Sequence, residues 1–263
     1  MKISKKIFHS IFSRNLFQGI WKKLFYLSLK GMNYGYSDSP VLSGEKWVIN
    51  TIIKPKVKVK ENSFNLINVG ANNGQYCDLL ISLFGTLISH VNIYLFEPQE
   101  ECVATLKKKY KDFSNIYING IGLGEEEDKK AMFSEKNGSV QASIIKNPFL
   151  KNEIQRTISI TTLDSFCEVN SIKKIDCLIM DVEGYEMNVL KGSENLIKNK
   201  LIDIIQFEHG SINSIKNKKY LLDFFDVLPN HNIYHIKQDG ITKINYKPEF
   251  EIFYNTNYLA IMN

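Results

Sequence analysis

No stretch of this chain reaches the roughly 18 consecutive apolar residues of a membrane span, so a bilayer crossing is not expected. The four cysteines, Cys77, Cys102, Cys167 and Cys177, show no C-x-x-C spacing and fall in segments that read as helix or strand. Neither a zinc site nor a disulfide framework is suggested, and four free thiols in a reducing cytosol are the expectation. No acidic residue precedes Asp38, whereas seven Lys or Arg do, so the basic excess behind the formal net charge of +5 lies at the N-terminus. No small-residue cleavage site follows a solid apolar block there, so the expected location is cytoplasmic. Internal repeats and low-complexity tracts are also missing.

What is present suits one globular α/β unit with an appendage: 263 residues, 44% of them hydrophobic, can bury a sizeable core. Residues 1–30 set Ile3, Ile7, Ile11, Trp21 and Phe25 at helical spacing, with Lys6, Arg14, Lys22 and Lys23 at other positions. This amphipathic pattern fits a helix docked on its own domain, self-association, or peripheral contact with an anionic inner membrane face. The run from Lys54 to Lys60 places lysine at every second position and predicts a lead-in or solvated edge strand. A nucleic-acid patch there lacks aromatics and flanking basic clusters, so no nucleic-acid partner is expected. The expected division is a helical lead-in over residues 1–61 and a main domain over 62–263.

From Phe64 onward, short apolar runs alternate with helical stretches, as in βαβ units. Strands are predicted at 65–69, 92–96, 116–121, 177–181 and 202–208. Helices are predicted near 76–88, 99–108, 163–168, 186–198 and 218–228. Extra strands at 128–134 and 157–162, with a loop around 139–152, form an insertion of the kind that walls a site. Segments 233–237 and 254–262 fit a C-terminal antiparallel hairpin. The fold class is therefore α/β, a Rossmann-like, doubly wound, mostly parallel sheet with that hairpin and an N-terminal helical extension.

Asn68, Val69, Gly70, Ala71, Asn72, Asn73 and Gly74 close the first strand just ahead of a helix. Gly70 and Gly74 admit close backbone approach, and ligands of open α/β sheets settle outside the strands' carboxyl ends. The G-x-x-x-G spacing departs from the G-x-G-x-x-G that carries a pyrophosphate. S-adenosylmethionine, which has no pyrophosphate, fits a loop whose asparagines can partner its amino-acid end; a plain turn is the alternative. Glu97, between Phe96 and Pro98, ends the second strand 23 residues after Gly74, where a carboxylate can accept from two ribose hydroxyls. Asp181, Glu183 and Glu186 crowd the end of another strand; Asp181 is placed to lie near a reacting methyl, and Glu186 to cap the following helix. Phe207, Glu208 and His209 end the neighbouring strand, where His209 is either a general base or structural. Asp181, Glu183, Glu208 and His209 also offer ligands for a divalent metal, the less favoured variant.

These residues resemble the FkbM family of methyltransferases. The resemblance rests on N-V-G-A-N-N-G-Q-Y at Asn68 to Tyr76, F-E-P at Phe96 to Pro98, T-T-L-D-S-F at Thr161 to Phe166, D-V-E-G-Y-E-M-N-V-L-K-G at Asp181 to Gly192, and F-E-H at Phe207 to His209. It spans residues 62–210. It implies a class I methyltransferase fold, S-adenosylmethionine as cofactor, and methylation of a hydroxyl on a sugar, glycan precursor or other small biosynthetic product. The matching cofactor residues are Asn68, Val69, Gly70, Ala71, Asn72, Gly74, Gln75, Tyr76, Glu97, Pro98 and Asp181. Asn68 stands where many members carry aspartate. The rival functions are a nicotinamide-dependent oxidoreductase and a non-catalytic cofactor-binding module.

Overall fold

The computed structural model describes residues 5–35, 39–60, 63–135, 138–139, 142–146, 154–210 and 212–263. Helices α1 (Lys5–Phe12) and α2 (Asn15–Gly31) precede α3 (Glu45–Val48), a π turn (Ile49–Ile53) and α4 (Lys54–Val59). The main domain then runs β1 (Phe64–Val69), α5 (Gln75–Phe84), β2 (Val91–Phe96), α6 (Glu100–Lys109), β3 (Ile116–Asn119), β4 (Gly122–Leu123), β5 (Asp128–Ser134) and β6 (Ile154–Thr161). It continues α7 (Leu163–Val169), β7 (Ile175–Met180), α8 (Glu186–Lys191), α9 (Glu194–Lys198), β8 (Ile202–His209), α10 (Ile212–Lys216), α11 (Leu221–Val227), β9 (His231–Lys237), β10 (Gly240–Lys243) and β11 (Thr256–Met262).

Eight strands form one sheet in the order β10-β9-β11-β8-β7-β1-β2-β3. From β3 to β8 all neighbours are parallel, and β11 is antiparallel to both β8 and β9. This is the class I methyltransferase arrangement, doubly wound about β1. The chain moves outward through β2 and β3, then returns to place β7 on the other side of β1. The expected C-terminal hairpin strands pair with each other, and β10 adds a further antiparallel edge to β9.

Alternation along the central strands sends side chains to both faces, and helices cover each face because both are apolar. Ile67, Val69, Leu178, Met180 and Phe207 join one core cluster with α8 and α11. Leu66, Ile93, Leu95, Ile179 and Ile204 join the other with α5 and the segment around Val48.

The alternating lysines of residues 54–60 do not make the expected strand. Lys54, Lys56 and Lys58 lie on α4, with Lys60 as its extended C-cap, and Val57 continues a helical stripe of Val48, Ile49 and Ile53, all four buried in the second cluster. Val57 is 3% exposed and Val59 81%, whereas a strand would turn both to the same face. The lead-in is thus continuous with the core.

Other elements are shorter than their apolar patterns. The third strand stops at Asn119, and Gly122 and Leu123 leave the main sheet to pair with β6 beside β5, forming the insertion's own three-stranded sheet. A Cβ on Gly122 would lie 2.6 Å from the Ile160 Cδ1, so a larger residue there would require that side-chain end to shift. The helix predicted over 186–198 breaks at Gly192, where a Cβ would stand 1.9 Å from the Gly124 carbonyl oxygen. The helix predicted over 218–228 starts only at Leu221, with the short α10 before it.

The α4 assignment separates two valines that a strand would treat alike. Val57→Ala should cost about 2 kcal/mol in chemical denaturation and Val59→Ala less than about 0.5 kcal/mol, and equal losses would contradict the helix.

Candidate active site

A cavity of about 450 Å³ opens at the carboxyl ends of β1, β2, β7 and β8, at the topological switch point. Its floor is built by tight backbone junctions. The Gly70 and Ala71 amides both donate to the Phe96 carbonyl at 3.0 Å, and the Asp181 amide donates to the Val69 carbonyl at 3.0 Å. Gly70 has φ of 82°, and a Cβ there would lie 1.9 Å from the Asp181 carbonyl oxygen. Only glycine allows the loops after β1 and β7 to nest in this way.

Glu97 is buried, and its two carboxylate oxygens accept from the Asn72 amide at 2.8 Å and the Gln99 amide at 2.9 Å. Burial raises its proton affinity, and these amide bonds pull it partly back. A carboxylate has about four acceptor positions, so capacity remains for a ligand's hydroxyls. Asn72 adopts φ of 45°, accepts from the Asn73 amide at 2.8 Å and donates to the Ser139 carbonyl at 3.3 Å. Gln99 donates to the same carbonyl at 3.1 Å, so two side-chain amides tie the insertion to the loops after β1 and β2.

Asp181 stands open to the cavity at the end of β7, with protein packed on its other sides, and this partial desolvation raises its carboxyl above the usual range. Glu186 turns back beneath it: its Oε1 accepts from the Val182 amide at 3.0 Å and the Gly184 amide at 3.2 Å. Burial pushes Glu186 up to about 7, the amides partly oppose this, and the Asp181 charge adds to it. Glu186 is the first residue of α8, as expected, but its carboxylate serves the turn before the helix, and no side-chain cap bond forms at Tyr185. Glu183, at φ of 53°, offers its carbonyl to the Ser143 hydroxyl at 2.9 Å, a second tie to the insertion.

The expected residues do not all meet the cavity. Asn68, Val69, Gly70, Ala71, Asn72, Gln75, Tyr76, Glu97, Pro98, Asp181, Glu183 and Glu208 line it. Gly74 does not: the space a Cβ would take is filled by the Tyr110 hydroxyl, 2.3 Å away, so this glycine serves packing of α5 on α6. His209 also stays out of the wall. It is buried among Phe224, Phe253 and Tyr258, with ring centroids 5.4 Å, 6.2 Å and 6.4 Å away, and its Nε2 has no hydrogen-bond partner among the described residues. Burial pushes His209 down to about 4, against weaker upward pulls from Glu251 and Asp223. Among the described residues no three His, Cys, Asp or Glu side chains converge as a metal site.

The T-T-L-D-S-F motif is a joint of the scaffold. Thr162 caps α7 by accepting the Ser165 amide at 3.0 Å, and Asp164 accepts the Asn195 and Leu196 amides at the start of α9.

One wall was not legible in the sequence. Tyr76 donates to Gln206 at 3.2 Å, Gln206 donates to Glu45 at 3.0 Å, and Ser43 donates to Glu45 at 3.0 Å. Glu45 belongs to the lead-in, on α3, yet lines the cavity. Burial pushes it up to about 7, Ser43 partly opposes this, and Asp181 adds to it. A lone Gln206 inside the apolar run of β8 was the available signal for an inward polar contact; Glu45 carried none.

The model of the methyltransferase FkbM domain matches residues 68–233. The chain belongs to the FkbM family of S-adenosylmethionine-dependent methyltransferases. A search of curated proteins found no match. Among solved structures, the chain is similar to the FkbM methyltransferase of Methylobacillus flagellatus KT, at 18% identity and a TM-score of 0.48, covering 75% of this chain and 43% of that one. The chain thus spans less than half of that relative's length. It is also similar to Aeropyrum pernix fibrillarin with natively bound S-adenosyl-L-methionine, at 12% identity and a TM-score of 0.39, covering 91% of this chain and 74% of that one.

The cavity's chemistry fits the family's cofactor. Asn68 is buried on the wall with its Nδ2 unpartnered among the described residues, a donor in need of an acceptor. Five carboxylates, those of Glu45, Glu97, Asp181, Glu183 and Glu208, line the cavity, and no Lys, Arg or His is among the described lining residues. Such a wall favours a cationic ligand.

Glu45 and Glu186 bind protons more tightly in the folded state, since each rises from 4.5 to about 7. Between those values the folded chain holds more protons than the unfolded one, so stability falls as pH rises through this window. Glu45→Gln keeps the acceptor for Gln206 and removes one such group. Urea unfolding at about pH 5 and about pH 8 should show the drop reduced by on the order of 2 kcal/mol, allowing for solvent access to this half-buried side chain. An unchanged drop would mean that Glu45 is not held in this environment.

Proposed function

We propose that the protein transfers a methyl group from S-adenosylmethionine to a neutral hydroxyl oxygen on a sugar, glycan precursor or other small biosynthetic product. The observation that carries this reading is the sign of the cavity: five carboxylates and no basic side chain among its described lining residues. That wall attracts a sulfonium and repels the pyrophosphate of a nicotinamide dinucleotide, which disfavours the oxidoreductase alternative. It equally disfavours a phosphate or carboxylate group at the reacting end of the acceptor.

The residues divide by position. Glu97 would hold the ribose hydroxyls, and the Asn68 amide would donate to the ligand's amino-acid carboxylate. Gly70 and Ala71 leave room for close approach. The insertion contributes an apolar wall of Met132, Ala142, Ile144 and Ile158, with Tyr185 beside it, against which the carbon face of an acceptor can pack. Bound S-adenosylmethionine supplies a methyl already activated by the positive sulfur. The chain's own task is then to orient the acceptor oxygen and receive its proton. Asp181 is the proposed proton acceptor, because its carboxyl faces the cavity with raised proton affinity. His209, walled in by aromatic rings, is given no part in the proton transfer.

Calorimetric titration with S-adenosylmethionine and its demethylated product tests the cofactor assignment. Wild type should bind both, and Glu97→Ala should bind roughly 10- to 100-fold more weakly. A folded wild type that binds neither would leave the non-catalytic module in front. With a hydroxyl acceptor found by transfer of labelled methyl, Asp181→Asn should lower kcat by roughly 10²- to 10⁴-fold with cofactor affinity little changed. His209→Asn should leave the pH profile of kcat where it was. Full turnover by Asp181→Asn would remove the assigned base.

A further inference from the structure

The helices α1 and α2 carry an apolar face that the other described residues do not cover. Phe12 packs against Trp21 and Phe17, and the Trp21 indole N–H donates to the Phe12 carbonyl at 2.8 Å, so the two helices form a defined hairpin. Leu16, Ile20, Leu24 and Leu27 recur at positions i, i+4, i+8 and i+11 of α2 and share one stripe. All four are exposed, Leu16 at 84% and Leu27 at 64%. Ile7 and Ile11 form a similar exposed face on α1. Isolated exposed leucines need no explanation, whereas an aligned stripe over three turns of helix marks a contact surface.

Charge selects the occupant. Lys23 and Lys30 lie four residues before and three residues after Leu27, and so border the stripe. No acidic residue occurs in either helix, or anywhere before Asp38. A second copy placed symmetrically on this face would bring two wholly cationic hairpins together, which is repulsive. An anionic surface that also accepts apolar side chains meets both requirements. No helix among the described residues is long and apolar enough to cross a membrane, so the hairpin would lie on the surface.

We propose that the α1–α2 hairpin docks the protein peripherally on an anionic lipid bilayer. The root of α2 is fixed to the catalytic domain. Lys237 donates to the Met32 carbonyl at 2.6 Å, Thr256 to the Asn33 carbonyl at 3.0 Å, and the Gly35 amide to the Asn255 carbonyl at 2.9 Å. Asn255 itself lines the cavity, so the docked hairpin holds that side of the cavity close to the lipid. The inference rests on the exposed hairpin alone and holds whichever molecule the cavity methylates.

Co-sedimentation of the full chain with vesicles of phosphatidylcholine, and of phosphatidylcholine mixed with phosphatidylserine, is the test. Binding should require phosphatidylserine and weaken with added salt. Lys23→Glu with Lys30→Glu should weaken it at least roughly 25-fold, at roughly fivefold for each lysine charge lost. Leu16→Gln with Leu27→Gln should weaken it roughly tenfold or more by removing inserted apolar surface. These side chains are exposed, so the thermal midpoint should stay at the wild-type value in both double variants. Partition that ignores phosphatidylserine or survives the lysine reversals overturns the proposal. So does a lipid-free dimer, seen by sedimentation, that Leu16→Gln with Leu27→Gln dissolves, since it would place a second copy on the face.

Discussion

The rest of the site hangs on the contact between Gly70 and the Asp181 carbonyl. With a Cβ at Gly70 the loops after β1 and β7 would be forced apart, because 1.9 Å leaves no room for a carbon atom. With glycine, the Asp181 amide reaches the Val69 carbonyl and the Gly70 and Ala71 amides reach the Phe96 carbonyl. Three strand ends are thereby locked together by main-chain bonds. Asp181 and Glu97 depart from that junction, so their separation is set by backbone and does not depend on side-chain rotamers alone. Positioning of this kind is what a transfer reaction between two bound molecules needs most.

A second layer completes the cavity from segments far away in the chain. The insertion is fastened over the loops after β1 and β2 by Asn72 and Gln99 on the Ser139 carbonyl, and over the turn after β7 by Ser143 on the Glu183 carbonyl. The lead-in closes another side, where Glu45 meets Gln206 and, through it, Tyr76. The lead-in can do this because Val48, Ile49 and Ile53 are fully buried in the same cluster as Leu66 and Ile204. In the proposed reading the residues that bind the cofactor come from the central strands, and those that select an acceptor come from these two additions.

This division explains what could be read from the chain beforehand. The strand ends were legible because apolar runs stop at Asn68, Glu97, Asp181 and Glu208, and a parallel sheet places such stops on one edge. Glu45 was not, because its contact with Gln206 spans 161 residues and leaves no local pattern. The lysine alternation at 54–60 misled for a related reason. Period two in charge carried no packing information, and period 3.6 in Val48, Ile49, Ile53 and Val57 set the conformation by burial. Gly74 and His209 sit at the expected places in the motifs, yet one yields space to Tyr110 and the other to a shell of aromatic rings. A motif fixes a residue's position along the strand end; neighbours far off in sequence decide whether its side chain reaches the cavity.

The charge of the cavity and its protonation are coupled. Glu45 and Glu186 reach about 7 and Asp181 is raised as well, because Glu186 is buried and the other two are partly shielded from water, and Asp181 disfavours ionisation of the other two. A positive ligand placed among these groups reverses the balance, since it stabilises each carboxylate by Coulomb attraction where water is partly excluded. Glu45, which reaches about 7, is therefore drawn toward the ionised form once a cation arrives in the cavity it lines, and Asp181 is drawn the same way. For Asp181 that means a carboxyl held in its ionised form but weaker as a base while a sulfonium is present, and a stronger base once that charge has left. The desolvation that makes the acids costly to the folded chain thus ties their basicity to the charge of what the cavity binds.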